Sequence, residues 1–321
     1  MVLVVRAMDS WPVLLLILSF FGLSLGAEDY AHLKVPGADV RVVVESEVVT
    51  LPNGMKLQGS KFATGVSAWR GIPYAQAPVG ALRWQPPQEI TDISEEVYNA
   101  TAFGSSCLQK DWGAEDCLFL NVYANLDVSL NKEMNEEGLP VAVFVHGGTY
   151  ETGSSTQYQG EYDVDYWNGQ GILVTLNYRL NVFGFLGSDA LRTQDQESGS
   201  TGNYGIQDQR LAFKFVQDNI KAWGGDPNRV MIFGESAGAG SMSVHVGAKK
   251  SWGYFSSVAM ESGSNSKWVM QPLSVSELMY QKVLDATGCE DVQCLLDLDA
   301  QTLLDKTVDI SGSTKGFLRY E

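Results

Sequence analysis

The chain has 321 residues, of which 45% are apolar and 11% aromatic, enough for a sizeable core in one large domain or two ordinary ones. This composition excludes a disordered chain. The formal net charge of −16 excludes sequence-independent nucleic-acid binding, which needs Lys and Arg to neutralise phosphates. The acidity is typical of a soluble protein, and an acidic cleft that attracts cationic ligands is the alternative interpretation.

The N-terminus has the pattern of a secretory signal peptide. Arg6 precedes an apolar run at residues 11–25, and small residues follow at Gly26 and Ala27. Because this run is short for a membrane span, we expect cleavage after Gly26 or Ala27, with an uncleaved signal anchor as the alternative. We therefore predict a signal peptide at residues 1–26 and a secreted chain, or one in the secretory lumen, at residues 27–321. No later stretch of the sequence approaches the length of a membrane span.

The four cysteines lie in two local clusters, Cys107 with Cys117 and Cys289 with Cys294. Secretion favours disulfides, for which three connectivities are possible, and the local pairing closes two small loops. Metal binding is the competing interpretation, but none of the three histidines is at ligand spacing from a cysteine, so we predict no metal site. Asn99 begins the single N-glycosylation sequon, in a polar stretch that suits a surface loop.

The first part of the chain predicts short antiparallel strands and loops. Residues 40–50 are β-branched and alternating, Asn53-Gly54 forms a hairpin turn, and a second extended run follows as far as residue 68. Proline and glycine make residues 71–88 irregular, and residues 131–138 form a charged connector.

Beyond residue 139, apolar strand segments alternate with helical segments. The strand segments lack polar alternation, as expected for strands covered on both faces. The predicted strands cover residues 140–145, 172–177, 230–233 and 254–260, and the predicted helices cover residues 206–223 and 275–286. This order predicts an α/β fold with a mostly parallel central sheet and helices on both faces.

The segment Gly234-Glu235-Ser236-Ala237-Gly238 lies between a predicted strand and a helix. A serine in such a sharp turn needs small neighbours, because side chains there would collide with the adjoining strand and helix. The turn presents the serine Oγ at a helix N-terminus, where the dipole and free N–H groups favour developing negative charge. We therefore predict that Ser236 is a nucleophile.

A second glycine-rich segment, His146-Gly147-Gly148-Thr149-Tyr150, follows the predicted strand at residues 140–145. Such a loop supplies backbone N–H groups to an oxyanion hole, together with the residue after the nucleophile. Glycine allows the backbone to approach a substrate carbonyl closely. Taken alone, this segment is also compatible with an ordinary glycine turn. Its position before the serine turn, in the order expected of an oxyanion loop and a nucleophile, argues against that alternative.

With these two segments, further motifs resemble the type-B carboxylesterases and cholinesterases. The similarity runs without a break from about residue 40 to about residue 300. The motifs are Ala68-Trp69-Arg70-Gly71-Ile72-Pro73-Tyr74-Ala75, Pro78-Val79-Gly80 with Leu82-Arg83-Trp84, Glu115-Asp116-Cys117-Leu118-Phe119-Leu120-Asn121-Val122, Thr201-Gly202-Asn203-Tyr204-Gly205 with Asp208-Gln209, and Trp223-Gly224-Gly225-Asp226-Pro227.

The resemblance implies an α/β-hydrolase fold, no cofactor, and hydrolysis of a small-molecule carboxylic ester through an acyl-enzyme on Ser236. It implies that Gly148, Thr149 and Ala237 donate N–H groups to the oxyanion, with Gly147 supporting the loop. The disulfides that it implies are Cys107–Cys117 and Cys289–Cys294. Thr149 departs from the glycine that the family often has, and it keeps the N–H group but restricts the backbone.

A general base for Ser236 is missing from this pattern. In α/β-hydrolases the order along the chain is serine, acid and histidine, and only His245 follows the serine. It lies nine residues on, about 13 Å along the predicted helix at about 1.5 Å per residue, and His146 belongs to the oxyanion loop. The resemblance implies an acid and a histidine beyond residue 321. We therefore expect a fold that is incomplete at its C-terminal side, an unpaired sheet edge, and no activity of this chain alone.

Three hypotheses follow. The first is a secreted serine carboxylic-ester hydrolase whose acid and histidine lie outside this chain. The second is a non-catalytic cholinesterase-like binding or adhesion module, which the intact Ser236 with Gly234 and Gly238 argues against. The third is an inactive truncated product. The sequence leaves the acyl and alcohol groups of the substrate and the oligomeric state open.

Overall fold

A computed structural model describes the chain over residues 3–6, 42–133, 135–195, 199–264, 269 and 271–311. The strands are β1 (Leu3–Arg6), β2 (Val42–Glu45), β3 (Val49–Thr50), β4 (Lys56–Gln58), β5 (Ser60–Phe62), β6 (Ser67–Pro73), β7 (Val97–Asn99), β8 (Phe119–Ala124), β9 (Leu139–Val145), β10 (Ile172–Leu176), β11 (Gly225–Glu235) and β12 (Ser257–Glu261). The helices are α1 (Leu126–Ser129), α2 (Gly160–Tyr166), α3 (Asn181–Phe185), α4 (Asp189–Arg192), α5 (Tyr204–Asn219), α6 (Ala237–Gly247), α7 (Leu273–Thr287), α8 (Val292–Asp297) and α9 (Ala300–Ser311).

Nine strands form one sheet in the order β1-β12-β11-β9-β10-β8-β6-β5-β2. Strands β9 to β12 pair in parallel, and they include the segments that the sequence predicts as buried strands. Strands β8, β6, β5 and β2 continue the sheet in antiparallel pairing. The α/β fold class is therefore confirmed, with a sheet that is parallel at its centre and mixed as a whole.

Helices cover both faces of this sheet, as predicted. On one face Val143 and Ile232 belong to the same buried cluster as Phe213 of α5. On the opposite face Phe144 belongs to a second buried cluster, which includes Val164 of α2. All five residues of β10 are buried, which is the reason that its sequence has no polar alternation.

The observed element ends differ from the predicted ones where polar residues are present. Strand β11 begins at Gly225, earlier than the apolar run at residues 230–233, and it contains an irregularity between Gly225 and Val230. Helix α5 ends at Asn219, and a short 3₁₀ turn continues to Trp223. Helix α7 ends at Thr287, one residue beyond the predicted end, and the following Gly288 has a φ of +76°, the left-handed conformation that glycine adopts without strain.

The sheet edge that the sequence predicts to be unpaired is paired in the structure, so that prediction is wrong. Strand β1 lies antiparallel to β12, with Leu3 opposite Met260 and Arg6 opposite Ser257. These four residues belong to the predicted signal peptide, and its residues 7–26 lie outside the described residues. The edge is therefore covered by a segment that signal cleavage would remove.

Both expected disulfides are present. Cys107 is bonded to Cys117 and Cys289 to Cys294, with Cα atoms 4.8 and 5.5 Å apart. Each closes a short local loop, so neither crosslinks distant parts of the chain. Among the helices of the described ranges, none is both long enough and apolar enough to cross a bilayer.

Candidate active site

Ser236 stands at the turn between β11 and α6, with a φ of +54° and a ψ of −115°. This backbone conformation is unfavourable for a residue with a side chain and costs on the order of 1–3 kcal/mol. The turn places Ser236 directly before the first residue of α6, and the serine is neither buried nor fully exposed. The N–H group of Ala237, in the first turn of the helix, has no acceptor within the helix and faces outward from its N-terminus.

The two glycines that flank this turn are required by contact distances. A Cβ atom on Gly234 would lie 2.7 Å from the carbonyl oxygen of Val145 and 2.6 Å from the carbonyl carbon of Gly238. A Cβ atom on Gly238 would lie 2.1 Å from the same oxygen of Val145. A side chain at either glycine would therefore collide with the backbone of β9 or of the turn, as the sequence suggests.

The loop after β9 lies against the serine turn. A Cβ atom on Gly147 would lie 3.1 Å from Cβ of Ser236 and 2.8 Å from the carbonyl oxygen of Glu235. The two segments, about ninety residues apart in sequence, thus meet at the carboxyl ends of the parallel strands β9 and β11. In α/β folds this edge of the sheet is where ligands bind.

The carbonyl oxygen of Gly148 holds the loop in shape. It accepts hydrogen bonds from Oγ1 of Thr149 at 2.7 Å and from the N–H groups of Glu151 and Thr152 at 3.0 and 2.9 Å. Since the described peptide bonds are all trans, the N–H group of Thr149 points away from these donors. Gly148 has a φ of +106° and Thr149 a φ of +58°, so threonine occupies a conformation that glycine would adopt more easily.

Two carboxylates lie beside the serine. Burial raises the pKa of Glu235, and burial followed by the charge of Glu235 raises the pKa of Glu261. The carbonyl oxygen of Glu261 accepts the N–H group of Ser236 at 2.9 Å and so fixes the turn to β12. Both side chains remain partly accessible, and they give this end of the sheet a negative character.

His146 supports the loop after β9 from within the core. Burial lowers the pKa of His146 to about 4, so the ring is neutral at neutral pH. Its Nδ1 lies 2.8 Å from the carbonyl oxygen of Gly147, and the ring stacks on Tyr178 at 4.5 Å between centroids. Gly153 packs so closely that a Cβ atom there would lie 2.5 Å from the same Nδ1.

His245 is also a structural histidine. Its Nε2 lies 2.9 Å from Oε1 of Gln209, and its Nδ1 lies 2.9 Å from Oγ of Ser251. Burial, and to a smaller extent Arg210, lowers the pKa of His245 to about 3. Over the residues that the structure describes, no histidine is within hydrogen-bonding distance of Ser236, and no group of His, Cys, Asp and Glu is placed to hold a metal ion.

Some residues of the site were missed by the sequence analysis. Gly263 is one, because a Cβ atom there would lie 2.5 Å from the carbonyl oxygen of Ser236. Tyr150 is another: it ends the predicted loop but was given no role, and it has a φ of +62° and a buried side chain. The signal in the sequence is weak for both, since it consists of one more small residue and one more aromatic residue.

A sequence profile described as Carboxylesterase family matches residues 45–320. The chain is 37% identical over 269 residues to the juvenile hormone esterase of Tribolium castaneum, which covers 78% of this chain and 43% of the relative. It is 36% identical over 251 residues to the para-nitrobenzyl esterase of Bacillus subtilis strain 168, and the match covers 74% of this chain and 48% of that relative. It is 34% identical over 265 residues to the cholinesterase of Mus musculus, covering 74% and 41%.

The solved carboxylesterase EST55 of Geobacillus stearothermophilus superposes with a TM-score of 0.75 at 34% identity, over 85% of this chain and 55% of that chain. A solved PNB esterase superposes with a TM-score of 0.71 at 33% identity, over 82% and 53%. The chain thus spans about half the length of the relatives that it matches. From its sequence and its fold, this chain belongs to the carboxylesterase family.

Proposed function

We propose that this chain is the nucleophile-bearing part of a serine carboxylic-ester hydrolase, with Ser236 as the nucleophile. The observation that carries the proposal is the contact between the two predicted segments, in which Gly147 packs against Cβ of Ser236. Membership of the carboxylesterase family supports the reaction class. The strained backbone of Ser236 supports it as well, because such strain is found where a side chain must be presented in one direction.

The proposed reaction begins with attack of Oγ of Ser236 on the carbonyl carbon of the ester. The carbonyl oxygen becomes an oxyanion, and the N–H groups of Gly148, Thr149 and Ala237 stabilise this charge. The tetrahedral intermediate then expels the alcohol and leaves an acyl group on the serine. Water hydrolyses this acyl-enzyme, and the carboxylic acid is released.

Each of these steps needs a group that accepts and returns a proton. The nitrogen Nδ1 of His146 and both ring nitrogens of His245 are engaged elsewhere, and both rings are neutral and buried. We infer that the triad acid and histidine are supplied from outside this chain. Loss of the triad histidine removes about a million-fold in rate, and about a thousand-fold over water remains from the oxyanion hole and binding. The chain alone is therefore expected to be nearly inactive.

The names of the relatives define the substrate only as a class. They refer to juvenile hormone, para-nitrobenzyl and choline esters, which are chemically different. The feature in common is the carboxylic ester bond, and that is the substrate class we propose.

Chemical rescue tests the proposal with the 321-residue chain. We expect slow hydrolysis of 4-nitrophenyl acetate that accelerates with added imidazole, which acts as an external base for Ser236. The Ser236→Ala variant, measured at the same imidazole concentrations, gives the background that is subtracted. Equal rates for the two proteins at every imidazole concentration would exclude Ser236 as the nucleophile. Fast turnover by the unmodified chain without imidazole would exclude the inference that the base is missing.

We further propose that the chain enters the secretory pathway. The two disulfides and the apolar N-terminal segment support this, since disulfides persist in oxidising compartments. Expression in animal cells should give a secreted product whose first residue is Ala27 or Glu28, as measured by N-terminal sequencing. Retention of residues 1–26 on the product would favour an uncleaved signal anchor instead.

A further inference from the structure

Tyr150 ends the oxyanion loop, and its main chain and ring are both fixed. Its carbonyl oxygen accepts the N–H group of Asn181 at 2.7 Å. Its ring lies 4.9 Å from the ring of Phe185, and the side chain is 5% exposed. The residue therefore cannot move without disturbing α3, where both partners lie.

The hydroxyl group of Tyr150 reaches the helix that begins after Ser236. A Cβ atom on Gly240 would lie 2.7 Å from this hydroxyl oxygen, so the hydroxyl packs directly onto the backbone of α6. Oγ of Ser241 lies 3.4 Å from it. The contact is one helical turn beyond Ala237, whose N–H group belongs to the proposed oxyanion hole.

A hydrogen-bond network fixes Ser241 in turn. Its Oγ accepts from Nε2 of Gln209 at 3.1 Å and lies 3.1 Å from the carbonyl oxygen of Ala237. Oε1 of Gln209 is bonded to Nε2 of His245, which sets the direction of the amide. Each of these side chains is buried. The hydroxyl of Tyr150 thus meets a surface that is itself held in place.

We propose that Tyr150 is a positioning residue, which sets the separation between the N–H groups of the oxyanion loop and the N–H group of Ala237. This inference rests on the proposed function. The loop leaves β9 at Val145 and first packs on α6 where the carbonyl oxygens of Val145 and His146 lie against Gly238. The tyrosine hydroxyl ties the far end of the loop to the same helix. Because Thr149 is in a strained conformation, a loop without this contact would relax away from α6 and weaken the stabilisation of an oxyanion.

Binding of 4-fluorophenylboronic acid to the 321-residue chain tests this without a general base. The boron atom accepts a lone pair from Oγ of Ser236, the hydroxyl proton passes to water, and a tetrahedral boronate anion forms. The oxyanion donors would stabilise this anion as they stabilise the intermediate of ester hydrolysis. The dissociation constant is measured by fluorine NMR, and the melting temperature of each variant is measured in parallel.

The Tyr150→Phe variant should bind the boronic acid about fivefold more weakly, since it keeps the ring and loses one neutral hydrogen bond. The Gly240→Ala variant should also bind more weakly, because its methyl group displaces the hydroxyl of Tyr150. Because alanine is a better helix former than glycine, the melting temperature of the Gly240→Ala variant should not fall in proportion to its affinity for the boronic acid. Tyr74→Phe is the matched control: it loses a buried hydroxyl that donates at 2.7 Å to the carbonyl oxygen of Asn177, and its affinity should stay unchanged.

The outcomes separate this inference from the proposed function. Unchanged affinity in both Tyr150→Phe and Gly240→Ala, with tight binding by the unmodified chain, would overturn the role of Tyr150 alone. Affinity that falls equally in Tyr74→Phe would also overturn it, because the effect would then follow general stability. If the unmodified chain binds no better than Ser236→Ala, the nucleophile itself is wrong, and both proposals fail.

Discussion

The guanidinium group of Arg83 holds the carboxylate of Glu115 through two hydrogen bonds of 2.6 and 2.8 Å. Its remaining nitrogen donates to the carbonyl oxygens of Leu295 and Leu298, each at 2.9 Å. Arg83 is 5% exposed. One side chain near the start of the domain therefore fixes both the loop of the first disulfide and the segment beside the second.

Replacement of Arg83 by methionine should lower the free energy of unfolding by about 3 kcal/mol, because the carboxylate of Glu115, whose side chain is only 11% exposed, loses its partner. Urea denaturation measures this value. The double variant Arg83→Met with Glu115→Gln should recover part of the loss, since no uncompensated charge remains. Lys214→Ala is the control: its ion pair with Asp218 is exposed, so the change should be below about 0.5 kcal/mol. A comparable loss of unfolding free energy in Arg83→Met and in Lys214→Ala would contradict the role of burial.

Replacement of Ser236 by glycine should stabilise the chain, by about 1–3 kcal/mol, because glycine adopts its backbone angles without strain. The same variant should lose the imidazole-dependent hydrolysis. Ser243→Gly, in the interior of α6, is the comparison, and it should destabilise by roughly 1 kcal/mol. Differential scanning calorimetry on the two variants decides between strain at Ser236 and a general effect of glycine. A lower melting temperature for Ser236→Gly would show that the turn stores no strain.

The contribution of His245 to the stability of the chain should fall as the pH drops from about 7 to about 4. The pKa of His245 is lowered to about 3 in the folded state, whereas a histidine in the unfolded chain has a pKa of about 6.5. The unfolded state thus binds the proton first, and the contribution of this group is present above pH 6.5 and lost as the pH falls toward 3. At pH 5 the loss is about 2 kcal/mol for one such histidine.

The variants His245→Gln and Phe213→Leu test this pH dependence. The ring of Phe213 lies 4.8 Å from that of His245, so its truncation lowers stability without removing the titrating group. Urea titrations between pH 4 and pH 8 should give Phe213→Leu a curve parallel to that of the unmodified chain. His245→Gln should give a flatter curve. Identical slopes for all three proteins would mean that His245 is not buried and neutral.

Asn99 should carry an N-linked glycan when the chain is secreted. The residue is exposed, but it is the last residue of strand β7 rather than part of the surface loop that the sequence predicts. Its Oδ1 accepts from Oγ1 of Thr101 at 2.7 Å, so the hydroxyl and the amide that glycosylation requires are adjacent. Electrophoretic mobility before and after treatment with peptide N-glycosidase measures the modification. The shift should disappear in Asn99→Gln and persist in Thr101→Ser, which keeps the sequon. A secreted chain with no shift would refute the prediction.

The sequence predicted the parts of the site that depend on local geometry. Gly234 and Gly238 were identifiable because a strand, a serine and a helix can be joined so tightly only with small residues on both sides. Contacts between distant segments left no such pattern. Tyr150 and Gly240 are ninety residues apart, and their contact follows from the pairing of β9 with β11. The start of β11 was missed for a related reason, since its buried residues Gly225 and Asp226 have no apolar side chains and so give no apolar pattern.

The pairing of β1 with β12 closes this edge of the sheet with four residues of the proposed signal peptide. If signal peptidase removes residues 1–26, the outer backbone of β12 loses its hydrogen-bond partners in the same step. The cleaved chain would then expose an unpaired edge strand, which can pair with another strand of the same polypeptide or of a neighbouring molecule. The timing of cleavage relative to folding would therefore decide between correct assembly and aggregation in the secretory lumen.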